Sequence, residues 1–243
     1  MRHRWIVGLA AVAALLATAG ERAAAAEKIK LHIVQGGGHN WKKHFPILAE
    51  VLEKTGDFEI TMSADLDELK AENIAKYDAV LIYGSGNNFK SPEQEKGLCD
   101  FVRNGGAFVG VHSATDAFKR SDPYWEMVGG RFAGHGGGKF QVVILDHEHV
   151  ITKPMADFEI QDETYRHRYH PESEKLLHHL IRCNRGKEQQ SMAWVRPYGK
   201  GRMFYTSLGH GTPAWKNPAF QRLVVRGLYW AVGREPKDPP PAK

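Results

Sequence analysis

The feature that most restricts how this chain can fold is the regular alternation of short apolar runs with amphipathic stretches between residues 28 and 111. Lys28 to Val34 alternates and then turns apolar, and it ends in Gln35-Gly36-Gly37-Gly38, as a strand does when it runs into a tight loop. Phe45, Leu48, Val51 and Leu52 recur at helical spacing as far as Gly56, and Phe58 to Met62 and Asp78 to Tyr83 read as further strands. Ser91-Pro92-Glu93 opens a second helix, with a cap-like Ser, a Pro in the first turn and acid beside the positive helix end; Asn104-Gly105-Gly106 stops it. Ala107 to Val111 is apolar throughout, as expected of a strand covered on both faces. This alternation predicts an α/β fold with a doubly wound, mostly parallel sheet, in which ligands sit beyond the carboxyl ends of the strands.

The second half is richer in strands. Phe140 to Leu145, Phe158 to Tyr165, Leu176 to Ile181, Met192 to Val195 and Arg202 to Ser207 read as extended, and Asn217-Pro218 opens a closing amphipathic helix that ends at Gly233. The Pro-rich tail from Glu235 to Lys243 is predicted to be disordered.

Residues 1–26 read as a secretory signal peptide: a basic start, an apolar run from Trp5 to Gly20 and small residues at Ala24-Ala25-Ala26. Glu21 and Arg22 follow that run, which disfavours a retained membrane helix, so the mature chain is expected to be periplasmic or secreted with no stable membrane insertion. The remaining 217 residues suit a single α/β domain over 27–234. The net charge is +5, and the leader holds three Arg against one Glu, leaving about +3 on the mature chain. Basic residues alternate with acidic ones rather than forming a stripe, which argues against a nucleic-acid partner. Cys99 and Cys183 read as structural, and the sequence leaves open whether they pair.

Polar groups fall at informative places. His112 and Ser113 follow the buried strand directly, where a reactive group gains both access and rigid support. His210, in Leu208-Gly209-His210-Gly211, repeats that placement, and His39 follows the first strand. His135 lies in Gly129 to Gly138, a run expected to be a loop that lets backbone approach a ligand; a flexible loop with an incidental His is the alternative. Neither glycine run matches a phosphate loop or a dinucleotide fingerprint. Asp162-Glu163-Thr164-Tyr165 closes an extended segment, and one of the two carboxylates can face a site; for Glu163 a catalytic or ligand role competes with an ion pair to Arg166 or Arg168. His147, His149, His178 and His179 read as surface residues. The candidate histidines form no short metal motif, so any divalent ion must be held by residues assembled in the fold.

Gly36-Gly37-Gly38-His39-Asn40-Trp41, Gly105 through Val111-His112-Ser113, Gly129-Gly130-Arg131-Phe132 with Gly134-His135, Asp162 to Tyr165, and Gly199 through Leu208-Gly209-His210-Gly211 together resemble the ThuA (trehalose utilisation) family in order and spacing. The resemblance spans about Lys28 to Gly233 and implies a flavodoxin-like sheet similar to the class I glutamine amidotransferases. Those enzymes carry a nucleophilic Cys at the turn after a central strand; here His112 stands there, which argues against thiol-dependent glutamine hydrolysis.

The resemblance implies a carbohydrate as the small-molecule partner, and a glycoside or 3-keto sugar as substrate. A keto group acidifies the neighbouring C–H, so a base at that carbon and an electrophile at the oxygen could drive isomerisation, elimination or hydration. His112, Glu163 and His210 are the expected catalytic groups, with His39, Trp41, Ser113 and Tyr165 contacting substrate and His135 with Glu163 holding an ion. A non-catalytic carbohydrate-binding protein is the alternative, with Trp41, Tyr83, Trp125 and Trp215 as stacking faces. A two-carboxylate glycosidase fits less well, since only one acidic cluster lies at an expected strand end.

Overall fold

The computed structural model describes residues 27–34 and 37–240, so the expected leader lies outside the described residues. The chain runs β1 (Ile29–Val34), α1 (Trp41–Glu53), β2 (Phe58–Ser63), α2 (Ala71–Ile74), β3 (Ala79–Ile82), α3 (Pro92–Arg103), β4 (Ala107–Val111), α4 (Asp122–Val128), β5 (Gly130–Ile144) and β6 (Phe158–Tyr169). It continues through β7 (His178–Asn184), β8 (Ser191–Tyr198), β9 (Gly201–Thr206), α5 (Thr212–Trp215) and α6 (Pro218–Ala231). No described helix is long and apolar enough to cross a membrane.

One nine-stranded sheet takes the order β2-β1-β3-β4-β9-β8-β7-β5-β6. The five strands from β2 to β9 are mutually parallel, and with β9 counted fifth their order is the 2-1-3-4-5 of flavodoxin-like sheets. From β9 to β6 every pairing is antiparallel. The expectation of a mostly parallel sheet is therefore corrected: the sheet is mixed. Parallel neighbours need a crossover, usually a helix, and no α-helix separates β5 from β9.

Alternation along the parallel strands gives each face its own core. Ile29, Leu31 and Ile33 of β1 pack with Phe45 and Leu48 of α1 and Leu228 of α6. Val80 and Ile82 of β3 and Phe108 of β4 pack with Leu98 and Val102 of α3 and Met127 of α4. Asn217 caps α6 as expected, accepting from the N–H groups of Ala219 and Phe220. Ser91 precedes Pro92 but makes no capping bond.

Cys99 lies in α3 and Cys183 in β7; both are buried and free, and burial pushes the Cys99 thiol up to about 12. The tail departs from expectation over its described part, 235–240. Asp238 pairs with Arg222 and with the largely buried Arg226, and Lys237 meets Asp57 at 2.6 Å.

Candidate functional site

His39, His112 and His210 follow β1, β4 and β9, three strands of the parallel half, so all three emerge on one rim. Their rings converge: His39 lies 4.8 Å from His112 and 5.4 Å from His210, and His112 lies 5.3 Å from His210 between centroids.

His112 is held in a strained turn. Its φ is +49°, in the left-handed region that costs a non-glycine residue on the order of 1–3 kcal/mol. Gly110-Val111-His112-Ser113-Ala114 has the small-x-reactive-x-small pattern of a nucleophile elbow, in which a residue at a sharp strand-to-helix turn stands exposed at the sheet edge. The glycine is required by contact: a Cβ on Gly110 would lie 2.9 Å from the Tyr205 ring and 3.1 Å from Ala114. Gly209, at φ +120°, lets the loop bearing His210 pass close by, since a Cβ there would meet the Val111 side chain at 3.1 Å.

The His112 side chain is wholly buried. Its Nδ1 lies 2.7 Å from the Ser207 carbonyl, which can only accept, so Nδ1 carries the proton and Nε2 keeps its lone pair. That lone pair faces the Tyr165 hydroxyl at 2.8 Å, His210 Nδ1 at 3.3 Å and Glu163 Oε2 at 3.6 Å. Burial, and then the neighbouring imidazoles, hold His112 well below the usual histidine range, although the Ser207 bond opposes this. His39 is lowered too, first by burial and then by His210.

Glu163, Tyr165 and His167 are spaced by two along β6 and turn toward this cluster. They lie within a twelve-residue strand, not at its end as expected. Glu163 Oε1 stands 3.3 Å from His210 Nδ1 and 3.5 Å from His135 Nδ1. Its basic neighbours are imidazoles; no ion pair with Arg166 or Arg168 occurs among the described residues. The Gly129–Gly138 run is likewise corrected. All of it from Gly130 belongs to β5, paired to β6 with a bulge between Phe132 and Gly134, and this register sets His135 opposite Tyr165 and Gly137 opposite Glu163. The ladder with β6 overrides the weak strand preference of the glycines.

Asp162 has a different task. Its oxygens accept from the N–H groups of Gly209 at 2.7 Å and His210 at 3.0 Å, so no second carboxylate is left facing substrate. Burial raises it to about 7 against the pull of those bonds.

The remaining candidates separate. Ser113 is buried beside the elbow with an unpaired hydroxyl, whereas the Trp41 ring packs on Phe45 beneath Lys42 and meets His39 only through its backbone N–H, which donates to the His39 carbonyl at 2.8 Å. Tyr83, Trp125 and Trp215 are core residues and offer no open stacking face. His178 bonds Asp146 and His179 bonds Ser191, away from the site. Sequence reading missed His44, 2.9 Å from the Tyr83 hydroxyl, and His167, which its period-two spacing from Tyr165 could have revealed.

Ligand atoms of His39, His112 and His210 lie within 4.8 Å of one another. A cleft of about 470 Å³ opens beside them, lined by His135, Gly137, Glu163, His210, Gly211 and Pro213 among others. No lining residue is Lys or Arg.

Fold and site define an α/β protein with a cluster of imidazoles on one rim of the sheet, built around a histidine elbow. The chain belongs to the ThuA family, described as trehalose utilisation, whose profile matches residues 30–231. Among solved structures it is similar to a putative ThuA-like protein from Parabacteroides merdae, at 21% identity, 88% of this chain, 94% of that chain and a TM-score of 0.77. A putative ThuA-like protein from Bacteroides uniformis has 20% identity, coverage of 86% and 92%, and a TM-score of 0.67. A beta-galactosidase from Bacillus circulans sp. alkalophilus has 12% identity and a TM-score of 0.61, over 86% of this chain and 32% of that one. No match was found among curated proteins.

Proposed function

We propose that this protein is an exported enzyme that processes a neutral glycoside or its 3-keto derivative by acid/base chemistry at the imidazole cluster. The observation that carries the reading is the convergence of His39, His112, His135 and His210 on Glu163 and Tyr165 beside an open cleft. A volume of about 470 Å³ falls within the usual small-molecule range of about 300–1,000 Å³. A cleft whose free carboxylate is Glu163, without Lys or Arg in its lining, suits an uncharged, hydroxyl-rich ligand better than a phosphorylated or acidic sugar. The family's description, and the occurrence of this fold within a beta-galactosidase, add support for a carbohydrate.

The groups differ in reach. His210 and His135 are about half exposed and Glu163 is partly open, so these three face substrate. His112 is enclosed and acts through Tyr165 and His210, which touch its free Nε2. In a keto-sugar, His210 takes the proton next to the carbonyl in the metal-free site, and the free oxygen of Glu163 would do so where an ion occupies the imidazoles. Tyr165, held neutral by burial, donates to His112 Nε2 at rest and would turn that proton to the substrate oxygen as it gains charge.

The donor set also fits a divalent ion. His39, His112 and His210 are close enough to share one, with Glu163 as a fourth ligand, and burial keeps His39 and His112 neutral as ligation needs. Such an ion would polarise a carbonyl or hydroxyl oxygen. The Ser207 carbonyl already fixes the His112 tautomer, as outer-shell partners of metal-ligating histidines do. His135, assigned with Glu163 to the ion from sequence, is better placed on the cleft wall.

The test is incubation of the purified protein with trehalose, its 3-keto derivative and simpler 3-keto-glucosides, with and without added metal. Product formation is expected with a keto-sugar. Unchanged turnover in both His112→Ala and His210→Ala would remove the assignment.

A further inference from the structure

The elbow at His112 is strained, and something must hold it. We infer that Tyr205 is a positioning residue for the site. Its hydroxyl grips the carbonyl of His112 and so maintains the left-handed turn that aims Nε2 at Glu163, Tyr165 and His210.

Tyr205 lies on β9 directly opposite Gly110 of β4, two residues before His112. Its ring occupies the space a Gly110 side chain would need, with the Trp194 ring 4.4 Å away on the other strand neighbour, β8. The hydroxyl lies 2.7 Å from the His112 carbonyl oxygen and donates to it, because a carbonyl offers no proton. Thr115 Oγ1 and His167 Nε2 approach the phenol oxygen at 3.0 and 3.2 Å. With the phenol proton committed to His112, that oxygen is left to accept from both. Tyr205, Thr115 and the elbow are all buried, so the hydroxyl touches neither the cleft nor solvent.

Packing explains the ring, but the hydroxyl is explained by the carbonyl it holds. If that bond is lost, the His112 peptide can rotate out of the left-handed region. The imidazole then leaves the Ser207 carbonyl that fixes its tautomer. The elbow inference rests on the reading of the cluster as a reaction centre only for its kinetic consequence.

The test uses the full mature chain and Tyr205→Phe, which keeps the ring. Long-range proton–nitrogen spectra of the wild type should show His112 with a protonated Nδ1 and a bare Nε2. In the variant, with circular dichroism unchanged, the two His112 nitrogens are expected to average between tautomers. Where a keto-sugar is turned over, kcat should fall at least tenfold with KM within about twofold. Trp194→Phe, which loosens the same packing but keeps the hydroxyl, should retain the wild-type nitrogen pattern. Thr115→Val, which removes one donor to the phenol, should shift it partway, and it carries the test if Tyr205→Phe does not fold. A wild-type His112 pattern in folded Tyr205→Phe, or in Thr115→Val where that variant stands in, would overturn the inference. Absence of turnover in the wild type would sink the reaction-centre reading and leave the nitrogen spectra to decide this one.

Discussion

Asp162 holds His210 by its backbone: one carboxylate oxygen accepts the His210 N–H at 3.0 Å while the other takes the N–H of Gly209 at 2.7 Å. One side chain of β6 thereby anchors the loop that delivers the most exposed imidazole of the cluster. Asp162→Ala leaves the buried Gly209 N–H and the part-buried His210 N–H unpaired, and a cost of about 1–3 kcal/mol is expected for the first, less for the second. Urea unfolding should show the loss, and amide exchange should place the earliest opening at 208–211. Wild-type protection of those amides in the variant would show that the loop is held by other contacts.

The buried Asp162 and the half-buried His167 should tilt stability with pH in opposite directions in the metal-free protein. Burial depresses His167 from 6.5 to about 3. The unfolded chain therefore takes up its proton first, and the stability this residue contributes is present above 6.5 and lost as pH falls toward 3. Asp162 is raised from 3.8 to about 7, so its contribution is present below about 3.8 and lost as pH rises through 7. Each contributes a slope of up to about 1.4 kcal/mol per pH unit while only one state is protonated. Relative to wild type, Asp162→Asn should gain stability between pH 4 and 6.5, and His167→Gln should lose it. Parallel urea midpoints for all three proteins across that range would contradict both assignments.

Much of this arrangement was legible in the chain, and the failures share a cause. His39, His112 and His210 each end an apolar run, and strand-to-loop position alone placed them on one rim. The parallel half followed from amphipathic segments lying between its strands. The antiparallel half is signalled too, by the lack of any helical segment from Phe140 to Ser207, since parallel neighbours need a crossover. His135 was misplaced because glycines read locally as loop, whereas pairing between Gly130–Val142 and Phe158–Tyr169 decides their conformation. Trp41 adjoins the His39 loop in sequence, but helix α1 turns its ring onto Phe45. The elbow was readable as Gly110-x-His112-x-Ala114, but its strain and the Tyr205 contact across strands are tertiary facts.

Zinc titration of chelator-treated protein should reveal one tight site. Alanine at His39, His112 or His210 should weaken it at least tenfold, since each removes one of three imidazoles already grouped within 4.8 Å. His135→Ala, on the cleft wall, should affect zinc much less. Saturation at about 100 times Kd should stabilise the fold by about 2.7 kcal/mol. Stoichiometric binding that survives all three substitutions would move the ion elsewhere.

Tyr165 offers the sharpest separation between catalysis and binding. Its hydroxyl lies 2.8 Å from His112 Nε2, its ring packs 4.4 Å from Phe132, and the side chain is buried, so Tyr165→Phe deletes one polar atom and little packing. If the hydroxyl donates to an oxygen that gains charge in the transition state, its loss should lower kcat by about 10²–10⁴-fold, the usual contribution of a positioned acid. KM should stay within a few-fold, because such an interaction is made mainly in the transition state. If Tyr165 only contacts bound sugar, KM should rise and kcat should hold. Steady-state kinetics on a 3-keto-glucoside distinguish the two, and an unchanged kcat would return the acid role to His210.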